Sequence, residues 1–185
     1  MGECGMRVVV IGTSGSGKTT FAGRLSKQLD VPHVELDLVN WQPGWYSLSE
    51  SEPDRFVALV DAATAGDRWT VSGGYSKVRR LLWSKATHLV WLDLPKHVVM
   101  RQVIWRSLGR AVLPRDVFPG CREDVWRLFT REHPIRWAWT THDSRRPRYE
   151  AMLNEPEFAH LKVMRCLSRE AANAAFGELA REAGK

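Results

Sequence analysis

Short apolar runs punctuate the chain, and between them the apolar residues recur at helical spacing. Residues 7–11, Arg7-Val8-Val9-Val10-Ile11, read as a buried strand. Phe21, Leu25 and Leu29 share one face of a helix that Val31-Pro32 prevents from continuing. Residues 33–37 read as a second strand ending on an acid, Asp37. A helix carrying Phe56, Val57, Leu59 and Val60 follows, with Pro53 suited to its first turn and Ser49 or Ser51 to its cap. Residues 69–74 form a third strand running into glycines, and 75–83 a helix. Residues 88–93 are a fourth strand, apolar until Asp93, as buried parallel strands are. Pro95 opens a helix with Val98, Val99, Val103 and Ile104. From 109 to 122 the pattern breaks up around Pro114, Pro119 and Gly120, which predicts a mobile segment. A helix is expected from 122 through 139, kinked at Pro134. Residues 161–165 are a fifth strand, and Ser168 caps a last helix through Ala171, Ala175 and Leu179.

Strands alternating with helices imply right-handed βαβ units, hence an α/β fold with a five-stranded parallel sheet covered on both faces. At 185 residues the chain suits one domain. Ligands of such sheets bind outside the carboxyl ends of the strands. Gly12, Asp37, Gly73 and Asp93 all fall at such ends, so the pattern predicts one crevice.

The first of these ends carries chemistry. Gly12-Thr13-Ser14-Gly15-Ser16-Gly17-Lys18-Thr19 fits G-x-x-x-x-G-K-[ST], the Walker A phosphate-binding loop, between a predicted strand and a predicted helix. The glycines let the backbone approach an anion, and the N–H groups of the loop through Thr20 face the phosphates. Lys18 is expected on the β- and γ-phosphates and the Thr19 hydroxyl on Mg²⁺. The cofactors expected are therefore ATP and Mg²⁺.

Charge narrows the partners. Residues 96–148 carry one Lys and eleven Arg against five acids, more than the whole net charge of +6. Arginine in that number suits phosphate contacts, whether from nucleic acid or from a polyphosphate pocket. Cys4, Cys121 and Cys166 are widely spaced with no C-x-x-C, which argues against a disulfide framework and for a reducing cytoplasm. No apolar run reaches the length of a membrane span, and the first six residues lack a signal peptide's apolar core. Trp69 and Trp91 lie within predicted strands and are expected in the core. His133 and His142 lack metal-ligand spacing.

The chain resembles the small P-loop kinases related to adenylate, shikimate and gluconate kinases, within them the adenylate kinase-like group also labelled DNA topology modulation proteins. G-T-S-G-S-G-K-T-T at 12–20, H-V-E-L-D at 33–37 with Trp41, G-G-Y-S-K-V-R at 73–79 and V-W-L-D-L-P at 90–95 carry the resemblance. It implies a P-loop three-layer sandwich, MgATP as donor, an acceptor-side aromatic loop at about 38–50 and a small mobile lid at about 106–122. The group has Gly-Asn-Tyr where this chain has Gly73-Gly74-Tyr75, and Ser72 stands where an acid often precedes that glycine. Asp93 reads either as a Walker B acid one strand later than usual or as a structural residue.

These readings assign roles. Asp37 accepts the acceptor's proton or holds Mg²⁺ through water; the alternative is a turn cap. Trp41, Tyr75 and Arg79 line the acceptor side, with Arg80 an alternative to Arg79. Arg101, Arg106 and Arg110 supply charge to the transferred phosphoryl group. The function expected is transfer of the γ-phosphoryl group of MgATP to a small acceptor, most naturally a nucleoside or nucleotide. The alternative is a nucleic-acid-associated P-loop ATPase, which no nucleic-acid motif favours.

Overall fold

The computed structural model describes residues 5–112, 116–122 and 134–184, without the side chains of 108–116, 122–138 and 141. Five parallel strands form the sheet: β1 (Arg7–Gly12), β2 (His33–Glu35), β5 (Trp69–Ser72), β6 (His88–Leu92) and β9 (Lys162–Cys166), in the order β2-β5-β1-β6-β9. The P-loop strand is thus central, with Val10 beside Ser72 on one side and Val90 on the other.

The period of two along β1 explains both layers. Val8 and Val10 face α1 (Lys18–Leu29) and α8 (Arg169–Ala183), packing with Phe21, Leu25 and Leu179. Val9 and Ile11 face the opposite layer, with Phe56 and Val60 of α4 (Pro53–Ala63), Leu82 and Trp83 of α5 (Ser76–Lys85), and Tyr149 of α7 (Pro134–Leu153). Leu25, Phe56 and Leu82 are essentially fully buried, each burial contributing about 1.5–3 kcal/mol. Trp69 and Trp91 lie in this core, as expected. Ser168 caps α8 by accepting from Ala171 N at 3.1 Å.

Several boundaries differ from the sequence reading. β2 ends at Glu35, and Leu36–Asn40 forms a short helix, α2, so Asp37 is in a helical first turn and not at a strand end. Leu36 is the cause. Its side chain is fully buried against Gly73, whose absent Cβ would lie 2.7 Å from Leu36 Cβ. Neither Ser49 nor Ser51 caps α4; a separate short helix, α3 (Leu48–Ser51), precedes it and Glu52 stands at its N-cap. The helix after Pro95, α6, runs from Lys96 to Val112, through Gly109 where a break was expected. α7 is described from Pro134, where a kink was expected, and continues past Trp139 and through Pro147; residues 123–133, the earlier part of the helix expected from 122, lie outside the described residues.

Two small hairpins lie outside the main sheet. β3 (Trp41–Gln42) pairs with β4 (Tyr46–Ser47), and β7 (Asp116–Phe118) with β8 (Cys121–Arg122). They touch: Gly44 N donates to Gly120 O at 3.1 Å and Cys121 Sγ to Gln42 O at 3.1 Å. Trp45 meets Trp41 and Phe118 edge-on, at 5.6 and 6.0 Å. The aromatic loop and the end of the expected lid segment are therefore in direct contact. Residues 113–115 of that segment lie outside the described residues.

Candidate active site

The P-loop leaves β1 at Gly12 and enters α1 at Lys18. Two glycines are required by space. A Cβ on Gly12 would meet Ser16 Oγ at 2.5 Å and Leu92 O at 2.9 Å, and one on Gly15 would meet Val103 Cβ at 2.9 Å. Gly15 and Gly17 also have φ of 84° and 90°, which favours glycine. Ser16 N closes the turn onto Thr13 O at 3.0 Å. The Ser16 hydroxyl is buried with no hydrogen-bond partner among the described residues. An orphaned buried hydroxyl inside a phosphate-binding loop fits a ligand oxygen. Thr13 is buried, Ser14 half-buried and Thr20 exposed.

α6 backs the loop. Val103 packs under Gly15, and the Gln102 amide, correctly oriented, donates to Gly15 O at 2.6 Å and accepts from Arg169 Nη2 at 2.8 Å. On the same side Arg106 Nη2 donates to the Ser14 hydroxyl at 3.2 Å. Arg101 projects elsewhere, into an open groove with Lys96, His97, Ile104, Trp105 and Trp139. The backbone of Arg110 is in α6, while its side chain lies outside the described residues, as does His133.

Charges converge on Lys18. Burial of its ammonium is the first cause lowering its pKa; Arg106 and Arg145 push the same way, while Asp37 and Glu35 oppose them. Arg145, on α7, also donates to Gly12 O at 3.4 Å. Thr19 Oγ1 donates to Glu35 Oε1 at 3.3 Å. A hydroxyl and two carboxylates form a hard oxygen set that fits Mg²⁺, which typically completes its octahedron with substrate phosphates and water. Thr19, Glu35 and Asp37 are the residues that would hold it.

On the acceptor side, Tyr75 donates its phenol to Asp37 Oδ1 at 2.7 Å. Burial, then the Asp37 charge, raises the Tyr75 pKa, so the phenol stays a donor. Arg79 donates to Gly74 O at 3.2 Å and lies 5.0 Å over the Tyr149 ring, while its Nε is buried without a partner among the described residues. Its pKa is lowered, first by burial and also by Arg148 and Arg145. Trp41 is half-buried at the end of α2, its backbone N–H donating to Asp37 O. Arg80 points outward into salt bridges with Glu155 and Glu157, both 2.6 Å.

The β5 end has no acid: Ser72 Oγ pairs with His33 Nε2 at 3.0 Å. Asp93 is buried between Arg146 and Arg165, each 2.7 Å from one of its oxygens. His142 is buried, its Nε2 3.0 Å from Leu94 O. Sequence reasoning missed Glu35 and Arg145. The alternation Glu35-x-Asp37 held a signal for Glu35, since β2 is adjacent to β5 and aims at the loop. Nothing local marked Arg145 among its neighbouring arginines.

No family model matches the chain. Over 57 residues it is 46% identical to proteins named "Putative adenylate kinase" from two strains of Halobacterium salinarum, a match covering 31% of this chain. The match spans about a third of those relatives' length (32%). Solved structures align along nearly the whole chain. Shikimate kinase from Bacteroides thetaiotaomicron aligns with a TM-score of 0.57 at 13% identity, over 95% of this chain and 97% of that one. A gluconokinase from Sinorhizobium meliloti 1021 aligns with a TM-score of 0.53 at 16% identity, over 99% and 96%. Shikimate kinase from Acinetobacter baumannii in complex with shikimate gives 0.54 at 18%, over 93% and 89%. These relatives and structures are kinases by name, and the five-stranded sheet built around a P-loop in this chain is the fold of the small P-loop kinases.

Proposed function

We propose that the protein is a phosphotransferase that moves the γ-phosphoryl group of MgATP to a small-molecule acceptor, a nucleoside or nucleotide being the acceptor class favoured. The observation that carries this reading is the convergence on Lys18 of two carboxylates, Glu35 and Asp37, and two arginines, Arg106 and Arg145. A loop that only bound phosphate, with neither a metal nor an acceptor to serve, would need no acids there. Phosphoryl transfer needs both signs: cations for the transferred group and an acid for the acceptor hydroxyl.

In this reading Gly12–Thr20 binds the phosphates, and Lys18 reaches the β- and γ-oxygens. Mg²⁺, when bound, neutralises charge on those oxygens. Thr19 and Glu35 orient the metal's side of the site through their mutual hydrogen bond. Asp37 accepts the acceptor proton, and Tyr75 holds its carboxylate in place. Arg106 and Arg145 face charge developing on the transferred group, where fixed donors in a low-dielectric site are strongest. Arg79 and Trp41 receive the acceptor; the orphaned Arg79 Nε suits an anionic or carbonyl oxygen. The hairpin 116–122 closes the acceptor loop from above, as the lid proposed for 106–122.

The experiment is a screen of ATP consumption against nucleosides, nucleoside monophosphates, sugars and hydroxy acids, with product identified by mass. Transfer to one class supports the reading; ATP turnover indifferent to every acceptor refutes it. A second reading, a nucleic-acid-associated ATPase, is favoured only by the groove where exposed Trp105 and Trp139 stand beside Lys96 and Arg101. Single-stranded DNA affinity falling steeply with salt would support it, and no binding at low salt would remove it.

A further inference from the structure

Asp93 directly follows β6 with the apolar approach of a Walker B acid, yet both of its oxygens are engaged by arginines. Oδ1 accepts from Arg146 Nε at 2.7 Å, and Oδ2 from Arg165 Nε and Nη2 at 2.9 and 2.7 Å. Arg165 extends the connection: its Nη1 donates to Glu150 Oε1 at 2.8 Å, and its guanidinium lies 4.3 Å over the Trp91 ring. α7 is therefore tied to the ends of β6 and β9 at Arg146 and Glu150, one helical turn apart. A third tie is His142 to Leu94 O, one turn earlier. Tyr149 is buried against Trp83 and Trp91. Residues 142, 146, 149 and 150 share one face of the helix. Arg145, adjacent to Arg146, reaches Gly12 O.

We propose that Asp93 is a positioning residue: through Arg146 and Arg165 it fixes the register of α7 on the sheet, and so places the Arg145 guanidinium at the phosphate end of the P-loop. This rests on the kinase reading above. The reasoning is geometric. Arg145 is one residue from the Asp93 contact, so a shift or rotation of α7 there carries Arg145 with it. A misplacement of about 1 Å can cost about 10²-fold in rate. An asparagine at 93 keeps one acceptor oxygen and turns an amide N–H₂ toward the other guanidinium, breaking one arm while conserving shape.

The test is a double-mutant cycle read by single-turnover transfer, ATP affinity and melting temperature. Asp93→Asn is expected to slow transfer by about 10²-fold, with ATP affinity little changed. In an Arg145→Ala background the same substitution is expected to cost no more than about twofold further, the limit within which independent sites usually add. Losses that add fully in the double variant would mean Asp93 acts without Arg145, and the proposal falls. Should Asp93→Asn fail to fold, Arg146→Gln, on a half-exposed side chain, enters the same cycle with the same expectations. A wild type that transfers nothing overturns both the kinase reading and this inference; an active wild type with additive losses overturns this inference alone.

Discussion

Asp37→Asn separates catalysis from architecture, because the structure sets the size of the architectural effect. Asp37 sits in the first turn of α2 and accepts one side-chain hydrogen bond, from Tyr75 at 2.7 Å. A bond to a charged acceptor contributes about 1.5–3 kcal/mol and a neutral one about 0.5–1.5 kcal/mol. Asparagine can still accept from the phenol, so the stability loss is about 1 kcal/mol. For a domain of this size that lowers the melting temperature by about 2–4 °C. Loss of a general base costs about 10²–10⁴-fold in rate, or about 3–5 kcal/mol of barrier. The kinetic effect therefore exceeds the structural one by a wide margin. Single-turnover transfer, ATP affinity and thermal melting on one preparation give the comparison, with ATP affinity expected to change by less than about tenfold if Asp37 acts on the acceptor. Tyr75→Phe is the comparison: it removes the same hydrogen bond but keeps the carboxylate, and should lose less rate than Asp37→Asn, since the base is loosened and not removed. A destabilised Asp37→Asn protein with normal turnover, or equal rate losses in both variants, would refute the assignment.

Other outcomes follow from the same geometry. Glu35→Gln should weaken the Mg²⁺ dependence of transfer by about 10–100-fold, the usual cost of losing a supporting ligand, read as the Mg²⁺ concentration for half-maximal rate. Lys18→Met should abolish ATP turnover yet raise the melting temperature at pH 7 without ATP. Burial depresses the Lys18 pKa below its ordinary 10.5, so the unfolded chain binds the extra proton between the depressed value and 10.5, and stability rises with pH across that window. The stability gap between Lys18→Met and wild type should therefore narrow as pH rises toward 10.5. Gly120→Ala forces a Cβ to 2.9 Å from Pro43 Cβ at a φ of 72°; it should loosen the contact between the two hairpins, raising the acceptor KM while leaving ATP affinity unchanged. Hydrogen exchange at 116–122 should slow when a bisubstrate analogue binds the wild type, and equal protection with and without it would count against a lid.

What the sequence made readable is what is local along the chain. The P-loop, its strand and its helix are contiguous, and their residue types follow from one local demand, close approach of backbone to an anion. The sheet followed from runs such as 89–92, apolar because β6 is covered on both faces. The end of β2 was misread because Glu35-Leu36-Asp37 alternates like a strand, while the burial of Leu36 against Gly73, distant in sequence, turns the chain. The site's second half is non-local. Asp93 meets Arg146 and Arg165 across 53 and 72 residues, and Arg145 meets Gly12 across 133. No spacing rule distinguishes those arginines from Arg101, which lies in the groove with Trp105 and Trp139, or from Arg80, which is paired on the surface.

The most direct measurement is transfer of labelled γ-phosphate from ATP by the wild type and by Lys18→Ala, across the acceptor panel, with both proteins checked for native melting. The account predicts a labelled acceptor of one chemical class with the wild type and none with Lys18→Ala. Label released only as inorganic phosphate whatever the acceptor, or transfer that survives in folded Lys18→Ala, would contradict it.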